Sequence, residues 1–100
     1  MLKHVVMFKL KEFENVEKKQ EKIQFLKSEL EKLKDKISVI KTFEVGVNSI
    51  ENPNAYDIVL ISTFNCDGCL KTYIEAPEHK QFEELLKENV IQRAVVNFTY

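Results

Sequence analysis

The stretch YDIVLISTF, residues 56–64, decides the fold class, because its β-branched and aromatic residues predict a strand that is apolar on both faces. One predicted face carries Tyr56, Ile58, Leu60 and Phe64, and the other carries Val59 and Ile61. Strands of this kind are typical of a sheet that is covered from two sides. The chain therefore has to supply or recruit cover for each face of its sheet.

Outward from this strand, the hydrophobic period changes between that of a strand and that of a helix. The predicted elements are strand 3–11, helix 16–37, strand 38–49, strand 56–64, helical segments 66–76 and 77–89, and strand 92–100. Asn15 can cap the first helix, and Pro77 can start the last helical segment because proline is tolerated in a first turn. The βαββαβ order predicts a ferredoxin-like α+β fold, a four-stranded antiparallel sheet with helices on one face.

The composition is that of one folded domain over residues 1–100. Hydrophobic residues make up 44% and charged residues 31% of the chain, with two glycines and two prolines, which excludes a disordered protein. The longest apolar run is four residues, too short to cross a bilayer. Met1 leads directly into a strand with no signal-peptide core, so we expect a cytoplasmic protein.

The charges nearly cancel, with fifteen lysines and arginines against sixteen aspartates and glutamates. Such a balance gives no general attraction to nucleic acid or to anionic membranes, and we expect neither as a partner. Arg93 is the sole arginine, and its planar guanidinium is the only one that could bind a carboxylate or phosphate through two parallel hydrogen bonds. Asp57 lies in an apolar strand, where it either pairs with Arg93 or faces solvent at the strand start.

The two-sided strands predict a homodimer. If helices cover one face of the sheet, the other face is left with an apolar patch of Val5, Met7, Val59 and Ile61. A monomer of this size seldom leaves such a patch in water. A second copy packing sheet against sheet would cover it.

Both histidines of the chain fall on apolar faces and could share a pocket. His4 alternates with Val6 and Phe8 on the first strand, and His79 lies one helical turn before Phe82. Tyr73, just before Pro77, can turn into the same layer. Two histidines and a tyrosine that face one apolar layer predict a small-molecule pocket, in which a neutral imidazole would be a competent general base. The predicted pocket wall consists of His4, Val6, Phe8, Ile23, Leu26 and Phe82. In the alternative, these apolar side chains fill the space and the histidines only pack.

Cys66 and Cys69 form the motif NCDGC at the start of a helix, where thioredoxin-type redox sites also place two cysteines. The rest of the sequence does not continue as a thioredoxin fold, and no fourth ligand or second cysteine pair completes a zinc site. In a reducing cytoplasm we expect two free thiols. The motifs of phosphate cradles, dinucleotide sites, hydrolase elbows and zincins are absent from the sequence.

The stretches HVVMFKLK, YDIVLISTF and above all YIEAPEH resemble the stress-responsive α/β barrel (Dabb) domain. The most specific part is the spacing Y-x-x-x-P-x-H of Tyr73, Pro77 and His79, together with His4. The resemblance implies a dimeric α+β barrel in which two sheets pack face to face. One plant member of the family closes a linear polyketide by aldol condensation, and its catalytic histidine, supporting tyrosine and pocket histidine match His79, Tyr73 and His4. Ala76 stands where that cyclase has a histidine.

These expectations combine into one leading hypothesis and two alternatives. The leading hypothesis is a homodimeric Dabb-type domain whose pocket uses His79 for cofactor-free, metal-free cyclase- or isomerase-like chemistry on a small apolar carbonyl compound. The first alternative is a non-catalytic, stress-related ligand-binding or structural dimer. The second is a cofactor-independent monooxygenase, another use of dimeric α+β barrels, since fold does not fix function.

Overall fold

The computed structural model describes all of residues 1–100, which form four strands and three helices. The strands are β1 (Leu2–Leu10), β2 (Thr42–Val47), β3 (Ile58–Phe64) and β4 (Val90–Thr99), and the helices are α1 (Val16–Lys36), α2 (Asp67–Glu75) and α3 (Pro77–Asn89). The strands pair antiparallel in one sheet of order β2-β3-β1-β4. This arrangement confirms the predicted ferredoxin-like α+β fold.

The central strand β1 fixes which residues share a face of the sheet, because directly paired residues of antiparallel strands point the same way. Val6 lies between Leu60 of β3 and Val95 of β4, and His4 lies between Ser62 and Asn97. The β1 and β3 residues of this face are buried. This is the face that the helices cover.

Helix α1 supplies one side of the core. Its buried residues recur at helical spacing and are Ile23, Leu26, Leu30 and Leu33. They pack with Leu60, Phe64 and Phe82 in one cluster of 17 buried residues. The lysines and glutamates of α1 fill its outer positions, where they form ion pairs such as Lys27–Glu31 at 3.0 Å.

The N-terminus of α1 begins where the sequence predicts it. The Asn15 side-chain oxygen accepts a hydrogen bond from the Lys18 backbone N–H at 2.8 Å. We expect Asn15→Ala to lower the free energy of unfolding by about 1 kcal/mol, because this N–H loses its only helix cap. Asn15→Asp keeps an acceptor and should lie within a few tenths of a kcal/mol of the parent. Urea unfolding measures both, and equal losses in the two variants would contradict a capping role.

The starts of three strands differ from the predicted ones by two residues or more. Strand β2 begins at Thr42 rather than residue 38, because residues 38–39 form a turn between the buried side chains of Ile37 and Ile40. Apolar residues that line a packed turn resemble a strand in sequence. Strand β3 begins two residues after Tyr56, and β4 follows α3 directly from Val90.

The face of the sheet opposite the helices, which we term the open sheet face, is apolar. It carries Val5, Met7, Val59, Ile61, Val96 and Phe98, as the strand pairing shows. Met7 is 38%, Val96 60% and Phe98 43% exposed, while the β3 residues and Val5 are half-buried by their neighbours. The predicted patch is thus present, and β4 extends it.

None of the helices has the length and apolarity needed to cross a membrane. The cytoplasmic location stays a prediction.

Candidate functional site

The break between α2 and α3 brings Tyr73 beside His79. Proline has no backbone N–H and disfavours a helical conformation in the residue before it, so α2 ends at Glu75 and Ala76 is extended. Pro77 then starts α3 in a new direction. Tyr73 in the last turn of α2 and His79 in the first turn of α3 therefore meet edge to face, with ring centroids 4.7 Å apart.

Tyr73 lies between the two histidines. Its ring centroid is 6.2 Å from that of His4 on β1, and it also contacts Phe64 at 5.4 Å. His4 donates a hydrogen bond from Nδ1 to the Asn97 side-chain oxygen across the β1–β4 pair. This bond places the proton of neutral His4 on Nδ1 and leaves Nε2 with its lone pair.

A cavity of about 190 Å³ lies between the sheet and the helices at this point. Its floor is apolar and buried, and is formed by Val6, Phe8, Leu30, Leu60, Phe82 and Leu86. Its polar side chains are His4, Tyr73, His79, Glu83, Arg93 and Asn97, with Ile74 and Val95 completing the lining. Because Ile74, Val95 and Asn97 are exposed, the cavity opens between α2, α3 and β4.

The structure brings together six of the eight residues predicted for the pocket, namely His4, Val6, Phe8, Tyr73, His79 and Phe82. Ile23 and Leu26 are buried in the core but do not line the cavity, so their placement in the pocket wall was wrong. Leu30, one turn beyond Leu26 on the same apolar stripe of α1, lines it instead. The cavity lies farther along the helix than the prediction assumed.

Glu83 and Arg93 also line the cavity, and sequence reasoning missed them there. Arg93 on β4 donates two hydrogen bonds to the Glu83 carboxylate, at 3.1 and 2.8 Å. Glu83 Oε1 also lies 3.5 Å from His79 Nε2, one turn earlier on α3. A base held by a carboxylate that a third group orients is the arrangement of an activated catalytic base. The spacing of four residues between His79 and Glu83 was the available signal.

Burial is the main influence on the His79 imidazole and lowers its pKa below the ordinary value. The Glu83 charge and the Ile74 backbone oppose that decrease, and the charges of Arg93 and His4 add to it. The His79 side chain is 12% exposed, and its Nδ1 is buried. His79 is therefore held neutral at pH 7, with a carboxylate placed to stabilise it after it takes up a proton.

The pKa values of the neighbouring groups are shifted as well. Burial lowers the pKa of His4, with the Asn97 hydrogen bond opposing it and Arg93 assisting. Burial raises the pKa of the Tyr73 hydroxyl, and the Glu83 charge adds to the rise. Burial acts to raise the pKa of Glu83, but the hydrogen bonds and charge of Arg93 outweigh it and hold that pKa below its usual value. At pH 7 the site has neutral His4 and His79, a protonated tyrosine and an ionised Glu83.

Removing either member of the Glu83–Arg93 pair should move the pKa of His79, in opposite directions. Arg93→Met removes a positive charge and should raise it, whereas Glu83→Gln removes the stabilising carboxylate and should lower it. The pKa can be measured by NMR titration of the imidazole. Lys18→Met, which breaks an ion pair with Glu14 on the helix surface, is the control and should leave it unchanged. Shifts of the same sign in both variants would contradict this electrostatic account.

Two other sequence predictions are corrected. Asp57 does not pair with Arg93; it accepts a hydrogen bond from the Leu10 backbone N–H at 2.7 Å and lies 3.7 Å from Lys19. Its side chain is half-buried rather than facing solvent. Cys66 and Cys69 are joined in a disulfide instead of being free thiols, because the helix cap brings their side chains together. No group of three or more His, Cys, Asp or Glu side chains is arranged to hold a metal ion.

Comparison with known proteins supports the fold and its family. A family model described as the stress responsive A/B barrel domain matches residues 2–100. A dimeric protein of unknown function with a ferredoxin-like fold from Bacteroides fragilis has 37% sequence identity and a TM-score of 0.85, covering 99% of this chain and 95% of its own. A protein of Arabidopsis thaliana has 26% identity and a TM-score of 0.79 over 100% of this chain and 95% of its own.

A hydroxynitrile lyase from Passiflora edulis has a TM-score of 0.80 but 15% identity, covering 97% of this chain and 90% of its own. At that identity the likeness shows a shared fold alone. A search of curated proteins finds no significant match.

Proposed function

The chain belongs to the stress responsive A/B barrel domain (Dabb) family, and from that premise we propose that it is a homodimer in which each protomer performs general-base chemistry on a small carbonyl compound. In this proposal His79 removes the proton, Tyr73 donates a hydrogen bond to the carbonyl oxygen, and His4 is a polar group of the cavity wall. The chemistry needs neither a metal nor an organic cofactor. The reaction class is that of a cyclase or isomerase.

The observation that carries the proposal is the state of His79. Burial lowers its pKa, it borders an apolar cavity, and it lies 3.5 Å from a carboxylate that Arg93 holds in place. A neutral imidazole is the form that accepts a proton, and an adjacent carboxylate lowers the free energy of the imidazolium that results. A histidine that served packing alone would not need this charged partner at its edge.

The remaining polar groups match the charges that such a reaction develops. When the carbon–hydrogen bond breaks, its electron pair moves toward the carbonyl oxygen and the proton passes to His79. Tyr73 is protonated because burial raises its pKa, so it can donate to the negative oxygen. In an isomerase the proton returns to another carbon. In a cyclase the carbanion attacks a second carbonyl of the same molecule.

The size of the cavity limits the substrate. Its volume of about 190 Å³ is slightly larger than an engineered cavity of about 150 Å³ that holds benzene. A compound with one six-membered ring and a short carbonyl substituent fits this space. Arg93 is already paired with the Glu83 carboxylate, which offsets the positive charge that would attract a ligand carboxylate. We therefore propose an uncharged, one-ring substrate.

The proposed dimer forms through the open sheet face. Its exposed members are Met7, Val96 and Phe98, and they would be covered by the same face of a second copy. The related Bacteroides fragilis protein is dimeric, which supports a two-fold assembly here. The cavity lies on the opposite side of the sheet, so each protomer keeps its own site.

Ligand binding tests the proposal. We expect benzoylacetone, a one-ring compound with a methylene between two carbonyls, to shift the NMR signals of both imidazoles saturably. Val95→Trp places a large ring at the exposed rim of the cavity and should weaken this binding by about tenfold or more, since each 1.4 kcal/mol of lost contact is tenfold. Val16→Trp, at an exposed position on α1, is the matched control.

Each outcome of the binding experiment separates the hypotheses. Equal binding by both tryptophan variants, or no saturable shift, would contradict the proposed site. Binding without proton exchange on the ligand would favour the non-catalytic carrier. Oxygen uptake with a hydroquinone would favour the monooxygenase alternative.

A further inference from the structure

The disulfide of Cys66 and Cys69 lies on the surface, outside the cavity. Cys66 is the N-cap of α2 in an extended conformation, and Cys69 is the third residue of that helix. Their Cα atoms are 5.2 Å apart, within the usual range for a disulfide. The bond closes a ring of only four residues between the end of β3 and the first turn of α2.

The two sulfurs differ in access. Cys66 is exposed, whereas Cys69 is half-buried and packs against the hydrophobic core. An incoming thiolate attacks one sulfur of a disulfide in line with the bond, and the rate depends on which sulfur it can reach. Cys66 is thus the sulfur open to attack, and Cys69 is the leaving group. Exposed disulfides are as a class the labile ones, in contrast to buried structural ones.

The helix terminus favours a thiolate at Cys66. The first backbone N–H groups of a helix have no partner within it, and they give this end a partial positive charge. The Cys69 N–H already points at the Cys66 sulfur, 3.1 Å away. The same hydrogen bond can stabilise a negative sulfur after the disulfide opens. Two cysteines separated by two residues at a helix start are the arrangement that thiol–disulfide chemistry uses.

From these observations we infer that Cys66 and Cys69 form a thiol–disulfide exchange site, with Cys66 as the reacting sulfur and a low-molecular-weight thiol as its co-reactant. The site is independent of the proposed chemistry at His79. It requires no metal or bound cofactor, because the electrons come from the external thiol.

The exchange proceeds in two balanced steps. An external thiolate attacks the Cys66 sulfur, the Cys66–Cys69 bond breaks, and a mixed disulfide forms at Cys66. Cys69 leaves as a thiolate and takes a proton from solvent. A second external thiolate then attacks the external sulfur, releases Cys66 and forms an external disulfide. Two electrons pass from two external thiols to the protein, and the reverse sequence reoxidises it.

The equilibrium of the unmodified protein tests whether the pair exchanges. We would incubate the protein in mixtures of reduced and oxidised glutathione, quench with acid and alkylate the thiols. Mass spectrometry then counts the alkyl groups on each species. The inference predicts a single transition between species carrying no alkyl groups and two alkyl groups, with a midpoint that depends on the glutathione ratio. A pair that remains two free thiols throughout, or a disulfide that glutathione never opens, would overturn it.

The roles of the two sulfurs are tested with matched single variants. Serine is a good N-cap, so Cys66→Ser keeps the start of α2, and Cys69→Ser is its counterpart. Each variant has one thiol, which we would titrate with 5,5′-dithiobis(2-nitrobenzoic acid) at pH 6. Cys66 in the Cys69→Ser variant should react about tenfold faster, or more, than Cys69 in the Cys66→Ser variant. Equal rates, or a faster Cys69, would overturn the assignment of Cys66 as the reacting sulfur.

Discussion

Replacing His79 by alanine should slow the protein-catalysed exchange of deuterium into the methylene of benzoylacetone by about 10²–10⁴-fold, the contribution typical of a general base. The loss follows from the proposed role of the imidazole as the proton acceptor at the edge of the cavity. The rate can be measured by proton NMR in deuterated buffer at a pH near 7. Lys80→Ala, the neighbouring exposed position on α3, is the matched control and should keep the parent rate.

The same experiment distinguishes a base from a packing residue. Tyr73→Phe keeps the ring and removes the hydroxyl, so it should cost about 10–100-fold, in line with a hydrogen bond of roughly 1.5–3 kcal/mol to a charged oxygen. The His79→Ala fold can be checked from its thermal midpoint. A full exchange rate in His79→Ala would contradict the proposed base.

The second large effect is on assembly. Val96→Asp should convert the proposed dimer to a monomer, because it would place a carboxylate on the open sheet face of each protomer. The effective cost of burying an unpaired charge is several kcal/mol, and two-fold symmetry applies it twice. A loss of about 4 kcal/mol in the free energy of dimerisation already raises the dissociation constant about a thousandfold. Analytical ultracentrifugation across a range of concentrations measures the change.

A matched substitution controls for the added charge. Val16→Asp makes the same chemical change at a position that is 74% exposed and lies at the start of α1, where an aspartate is favourable. It should remain a dimer. Circular dichroism should show that Val96→Asp keeps its secondary structure, since Val96 is already 60% exposed within one protomer. A Val96→Asp protein that still sediments as a dimer would place the interface on another surface.

The sequence predicted the three residues at the centre of the site because each lies on an apolar face of a strongly periodic element. His4 alternates with buried residues of β1, and His79 precedes Phe82 by one turn. The Tyr73–His79 contact follows from the proline that ends α2 and restarts the chain as α3. Local rules were enough for these positions, because the features that place them are only a few residues apart.

The electrostatic partners could not be predicted in the same way. In the sequence Glu83 is one of many glutamates on a charged helix. Arg93 was considered only as one possible partner of Asp57, the alternative being that Asp57 faces solvent. The pairing of β1 with β4 decides the matter, placing Arg93 opposite Phe8, close to α3. A register shift between Lys9 and Leu10 interrupts that pairing, and no local sequence pattern predicts the shift.

Two further errors have simple physical origins. The apolar stripe of α1 runs unbroken from Ile23 to Leu33, and periodicity does not show where along it the packing leaves a cavity. The pairing of Cys66 with Cys69 depends on the extended conformation of the cap residue, which turns its side chain over the first helical turn. The sequence analysis expected free thiols at these two cysteines because it assumed a reducing cytoplasm.

The most direct test of the central claim, that the cavity is a general-base site, is the exchange rate of benzoylacetone with the unmodified protein. We would compare it with free imidazole at the same concentration, in deuterated buffer near pH 7. The proposed mechanism predicts a rate that exceeds that of imidazole, saturates with benzoylacetone, and falls only below the ordinary imidazole pKa, since burial lowers the pKa of His79. A rate that is linear in benzoylacetone and no faster than imidazole would contradict it.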